Sequence, residues 1–221
     1  MQHDLPDILI EGYSYFRTEF YPDVAEQLET LLVEGQKPWA LTIGCSDSRV
    51  IPELVLGAEP GEFFVVRNVA NAVPNFDRAA KSSASFWAAV EFAILHLHVP
   101  HIIVLGHDDC QGIKMLANRS PAAVPHDDAY FLHLWGDFMP QVEAKATTLA
   151  GDDPMARLVR ANVLVQLERL KAHPAVANAL SAGELSLIGL VYDMRGGIEY
   201  FDADAEAFKP LPVEASEHHH H

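Results

Sequence analysis

The sequence predicts an α/β fold: a mostly parallel central β-sheet of about four parallel strands plus an antiparallel edge strand, flanked by helices. Two observations carry this. Short apolar runs at Trp39 to Ile43, Phe63 to Val66 and His101 to Leu105 each stop abruptly in polar residues. Between them lie segments whose apolar residues recur at helical spacing. Strands that are continuously apolar, not alternating, are buried on both faces, the condition of a parallel sheet covered by helices.

Taken in order, residues 4 to 35 hold two helical patterns broken at Tyr21-Pro22. The first, over residues 7 to 19, is flanked or filled by Tyr13, Tyr15, Phe16 and Phe20 and is too apolar for a solvated surface. It is expected to pack on a neighbouring subunit or across the sheet. The second places Val24, Leu28, Leu31 and Leu32 on one face and ends near Gly35. Gln36-Lys37-Pro38 leads into the first strand, and Pro52 to Leu56 reads as a short helix. After the second strand, a helix over Ser82 to His98 carries Phe86, Val90, Ile94 and Leu97 on one stripe, closed by Val99-Pro100. A further helix starts near Ile113, following the third strand. Residues 120 to 183 read as mostly helical, with Asp152-Asp153-Pro154 opening a helix whose positive end favours the two carboxylates. Val159, Val163 and Leu167 line one face of that helix. Leu185 to Tyr192 is the fourth strand, and Arg195-Gly196-Gly197 turns the chain into Ile198 to Phe201, the antiparallel edge. The domains follow: a helical arm over 1–35, an α/β domain over 36–212, and a tail over 213–221 whose terminal histidines resemble a purification tag.

A chain of 221 residues fits one domain with appendages. Its net charge of -16 argues against nucleic acid or an anionic membrane as partner, since phosphate binding draws on clustered Lys and Arg. No apolar stretch approaches the roughly 18 residues of a membrane span, so a cytoplasmic location is the default. In that compartment the two cysteines, Cys45 and Cys110, read more readily as metal ligands than as a disulfide.

The first strand ends in Cys45-Ser46-Asp47-Ser48-Arg49 and the third in Gly106-His107-Asp108-Asp109-Cys110. If the strands are parallel, both ends lie on one rim, where open α/β sheets bind ligands. Two thiolates and an imidazole suit zinc, and three protein ligands leave one position open, as in catalytic sites. A structural site would need a fourth ligand, which His126 or His133 would have to supply. Asp47 and Arg49, two residues apart, share a face of an extended segment and can pair with each other.

These motifs, together with Arg67-Asn68-Val69-Ala70-Asn71 and Glu91-Phe92-Ala93, resemble the successive motifs of the β-class carbonic anhydrases over roughly residues 25 to 203. The resemblance implies reversible hydration of carbon dioxide to bicarbonate and a proton by zinc-bound hydroxide. It implies one Zn2+ per subunit on Cys45, His107 and Cys110, with Asp47 and Arg49 as the catalytic dyad. Gln36, Phe64, Val69 and Phe92 match the family's substrate pocket. It further implies a homodimer or dimer of dimers, with the N-terminal helices embracing the neighbouring subunit. A related zinc hydrolase of carbon disulfide or carbonyl sulfide, or a non-catalytic zinc-binding relative, is the alternative.

Three departures from the family pattern stand out. Gln111 replaces a glycine after Cys110, and Asp108 and Asp109 replace small residues, adding negative charge beside an anion-releasing site. Phe86-Trp87 replaces small residues ahead of Glu91 and is expected to fill the core or an interface. Arg67 and Tyr192 match two members of a regulatory bicarbonate site, but Thr42 stands where its Trp would be. The expectation is therefore no such site, and Asp47 paired with Arg49.

Overall fold

The computed structural model describes residues 5–79, 81–117, 132 and 134–214. The helices are α1 (Asp7–Tyr15), α2 (Tyr21–Glu34), α3 (Pro52–Val55), α4 (Ala84–Glu91), α5 (Gln111–Leu116), α6 (Met139–Ala146), α7 (Pro154–Leu170) and α8 (Pro174–Ser181). The strands are β1 (Ala40–Cys45), β2 (Phe63–Asn68), β3 (His101–His107), β4 (Ser186–Tyr192), β5 (Ile198–Asp202) and β6 (Ala207–Pro210). They form one sheet in the order β2-β1-β3-β4-β5-β6, with β2, β1, β3 and β4 parallel and β5 and β6 antiparallel. The expected parallel strands are all present. The antiparallel edge differs: β5 is interior and β6 is the edge. Ala207-Phe208-Lys209-Pro210 is too short to announce a strand and ends in a proline, and it forms because β5 offers it an unpaired ladder.

The sheet is sandwiched unevenly. One face carries the larger core, in which Leu41, Ile43, Ile102 and Val104 pack against Val90 of α4 and Val159, Val163 and Leu167 of α7. Gly106 and Gly189 let α7 sit close, since a Cβ at Gly106 would lie 2.6 Å from Val163 and one at Gly189 would lie 2.9 Å from the same residue. Asp153 caps α7 as its sequence suggests, accepting from the Met155 amide at 2.8 Å. Phe86 and Trp87 are buried in this core. The other face has a smaller cluster of Ala40, Val50, Ile103, Leu105 and Leu190.

The N-terminal arm does not break at Tyr21-Pro22. A π-helical turn over Phe16–Phe20 joins α1 to α2, and Pro22, which has no N–H to give the preceding turn, falls just after this widened turn. Neither α1 nor α2 holds a buried residue. Ile8, Leu9, Tyr13, Tyr15, Phe16 and Phe20 are all exposed. Among the described residues no helix is long and apolar enough to cross a membrane.

Candidate metal centre

β1 and β3 are adjacent and parallel, with Gly44 beside Leu105, so Cys45 and His107 end their strands on one rim. The chain then turns through Asp108 and Asp109 and delivers Cys110 to the start of α5. One ligating atom from each of Cys45, His107 and Cys110 comes within 4.8 Å of the other two, and all three residues are buried.

The imidazole is set for a metal. His107 Nδ1 lies 2.8 Å from the Asp108 carbonyl, which can only accept, so Nδ1 carries the proton and Nε2 keeps its lone pair. Nε2 is fully buried and has no hydrogen-bond partner among the described residues. An orphaned buried acceptor beside two thiols is costly unless a cation fills the gap, and a donor set of two sulfurs and one nitrogen fits zinc. The Asp47 amide points at Cys45 Sγ from 3.4 Å, stabilising a thiolate there. The proximity of the two sulfurs pushes the Cys45 thiol down and, together with burial, pushes that of Cys110 up.

Asp47 and Arg49 form a fork. Arg49 Nε donates to Oδ1 at 2.9 Å and Nη2 to Oδ2 at 2.7 Å, while the Arg49 amide donates to Oδ1 at 3.0 Å. These hydrogen bonds hold the Asp47 carboxyl far below the usual range, overcoming the cost of its partial burial. Asp47 Oδ2 also lies 4.0 Å from His107 Nε2. Thr42 is fully buried inside β1. Asp47 is turned to Arg49.

Sequence reasoning missed how the flanking loops are held. Arg67 donates to the carbonyls of Cys45, Asp47 and Val50 at 2.8, 2.7 and 2.6 Å, clamping the dyad loop. The next segment, Val69 to Val73, contains Ala70 and Asn71 at φ of +65° and +45°, conformations that non-glycine residues adopt at a cost. Side chains pin it. Trp135 donates to the Val69 carbonyl at 2.7 Å, Asn162 to that of Ala70 at 2.9 Å and Arg169 to that of Val73 at 2.6 Å. Gln166 accepts from the Val73 amide and donates to Asn162, both at 2.7 Å. The signal for this ladder was present: Asn162, Gln166 and Arg169 sit at i, i+4 and i+7 on a helix otherwise apolar on its buried side.

The pocket residues divide. Val69 packs against the segment that follows Cys110, since a Cβ on Gly112 would come within 2.8 Å of it. Gln36 does not: it precedes β1, at the end of the strand opposite Cys45, and Ala40 to Cys45 alone spans about 17 Å. Phe64 lies on the edge strand β2 and stacks on Phe92 at 5.7 Å, with Phe92 43% exposed. A single chain therefore does not gather Gln36, Phe64 and Phe92 with the ligands. The carboxylate of Asp109 is not loose negative charge, because it pairs with Arg49 and Lys114. Glu91 is anchored to His173 at 2.9 Å. His126 and His133 lie outside the described residues.

The sequence profile of the carbonic anhydrase family matches residues 40–198. A carbonic anhydrase of Pseudomonas aeruginosa is 38% identical over 206 residues, covering 92% of this chain and 90% of its own. Among solved structures, the β-carbonic anhydrase CcaA superposes with a TM-score of 0.77 at 32% identity, over 92% of this chain and 98% of that one. A Coccomyxa β-carbonic anhydrase, solved with acetazolamide, superposes with a TM-score of 0.72 at 29% identity, over 95% and 89%. Profile, identity, fold and a zinc-compatible donor set agree, and the chain belongs to the β-class carbonic anhydrase family.

Proposed function

We infer that the chain interconverts carbon dioxide and bicarbonate as a carbonate dehydratase, with zinc held by Cys45, His107 and Cys110. The observation that carries this reading is the position of Asp47, an acceptor-only carboxylate forked by Arg49 and 4.0 Å from the unpartnered ligand nitrogen of His107. A purely structural metal site has no use for it.

When bound, zinc supplies the Lewis acidity that makes water a nucleophile near neutral pH. The protein supplies direction. Asp47, ionised at neutral pH, is too weak a base to remove a proton and serves as a fixed acceptor for an O–H of the attacking water. That hydrogen bond turns the oxygen's lone pair toward the carbon. Arg49 occupies both carboxylate oxygens of Asp47 and so keeps the acceptor in one orientation. Val69 adds apolar wall, which suits a substrate with no net dipole.

In this reading Gln36, Phe64 and Phe92 complete the pocket from a neighbouring chain, in a homodimer or dimer of dimers. The exposed apolar residues of α1 and the uncovered Phe64-Phe92 pair support that assembly. Two free thiols and an acidic surface suit a cytoplasmic enzyme that acts on a small molecule and binds neither nucleic acid nor membrane.

Stopped-flow hydration of carbon dioxide, with zinc content measured in parallel, tests the reading. Wild type is expected to be active, and Asp47→Ala to keep its zinc while losing about 100-fold in kcat/KM. A zinc-replete wild type with no activity between about pH 7 and 9 sinks it.

A further inference from the structure

Arg49 does not serve Asp47 alone. Its Nη1 donates to Asp109 Oδ2 at 2.9 Å and its Nη2 to the Asp109 carbonyl at 3.2 Å. The guanidinium is therefore gripped on one edge by Asp47 and on the other by Asp109, from the loop that carries His107 and Cys110. Asp109 adopts a left-handed backbone, with φ of +55°, where glycine or asparagine would be more comfortable. Its other carboxylate oxygen takes a hydrogen bond from Lys114 of α5. Two carboxylates on one guanidinium compete for it, and Lys114 offsets the charge of the second.

We propose that Asp109, backed by Lys114, is a positioning residue that fixes Arg49 and through it the orientation of Asp47. The physical reason is geometric. Arg49 is 46% exposed, and a long side chain held by one partner on a water-facing surface samples several rotamers. A second anchor at the far edge of the guanidinium removes that freedom, because a planar fork gripped on both edges cannot swing. It also ties the β1 loop to the β3 loop, so the two halves of the donor set are linked by charge as well as by the sheet. The inference rests on the dyad reading above.

The test uses the zinc-loaded protein. Asp109→Gly is the informative variant, because glycine accepts the positive φ freely while deleting the carboxylate. Zinc content and melting temperature are expected to hold. The kcat/KM for carbon dioxide is expected to fall about fivefold, as suits loss of a half-exposed ion pair that orients another group. The nitrogen-15 signal of the Arg49 Nε–H, assigned by its absence in Arg49→Lys, is expected to exchange faster with water. Unchanged Arg49 exchange, or kcat/KM within about twofold of wild type, overturns the proposal. Should Asp109→Gly lose zinc or fail to fold, Asp109→Asn, which also tolerates the left-handed backbone, is judged by the same two criteria. Lys114→Met is expected to cost about twofold alone and nothing in the Asp109→Gly background; additive losses overturn its supporting part. Asp47→Ala measured alongside separates the readings. Full activity in that variant removes the dyad itself, whereas its loss beside a fully active Asp109→Gly removes only the role of Asp109.

Discussion

Two loops flank the metal centre, and they are held by opposite means. The β1 loop, from Ser46 to Val50, is fastened by charge: Arg67 on its carbonyls, then Arg49 between Asp47 and Asp109. The β2 segment, from Val69 to Val73, is fastened largely by side chains from α7, of which Asn162 and Gln166 are neutral and almost wholly buried. Exposed ion pairs are weak and adjustable, whereas buried hydrogen bonds are expensive to leave unmade. The loop that must present a correctly aimed carboxylate is thus steered by polar groups near water. The segment that forms an apolar wall, and stores strain at Ala70 and Asn71, is locked from inside.

The harshest way to break the comparison is to remove what both loops serve. His107→Ala deletes the imidazole, and zinc content measured by elemental analysis is expected to fall to near zero, with hydration at the uncatalysed rate. Retained zinc and activity would mean that the donor set is misassigned. Next comes the buried ladder. Gln166→Leu strands the Val73 amide and one Asn162 oxygen, at a cost of about 2 kcal/mol, or a fall of about 4–8 °C in melting temperature. A melting temperature within about a degree of wild type would show that the ladder does not bear strain. Smaller again is Arg67→Met, which frees three carbonyls beneath an exposed side chain, two of them on the buried residues Cys45 and Val50. Because Arg67 is itself exposed, water can enter the space its guanidinium leaves, so calorimetry is expected to register less destabilisation than for the fully buried Gln166→Leu, while kcat/KM drops more. The reverse ranking would erase the distinction between the loops.

The gentlest probe is pH. Asp47 is depressed by Arg49, so the pair contributes its full stability above the ordinary carboxylate range near pH 4 and loses it progressively as pH falls from there through the depressed value. Chemical denaturation of Arg49→Gln and wild type is expected to give a constant difference between about pH 6 and 8 that shrinks on acidification. A difference that grows as pH falls contradicts the assigned ion pair. Metal retention changes in the same direction for another reason: both sulfurs bind a metal only as thiolates, so protons compete with the metal for them. Chelator-driven zinc loss is therefore expected to accelerate as pH falls.

Much of this arrangement was legible in advance where the signal is local. Apolar runs ending in Cys45-Ser46-Asp47 and His107-Asp108-Asp109-Cys110 mark both the strands and the rim, because a buried strand must be apolar and a ligand must stand where it ends. Asp153-Pro154 marks a helix start by its own chemistry. The edge strand β6 escaped notice because its four residues carry no periodicity and owe their conformation to β5. The helical arm looked broken at Pro22 because a widened turn, invisible to residue spacing, lets the helix continue.

The sequence alone determined the donor types, the order of the strands in the chain and the family, since these depend on residue identity and short-range pattern. Which atoms meet was decided only by the tertiary structure. Asp109 reaches Arg49 across 60 positions of chain and Gln166 reaches Val73 across 93, and neither pairing has a local signature. A hydrogen bond requires its partners within about 3 Å, and only the packing of α7 on the sheet and the parallel register of β1 with β3 bring those atoms that close.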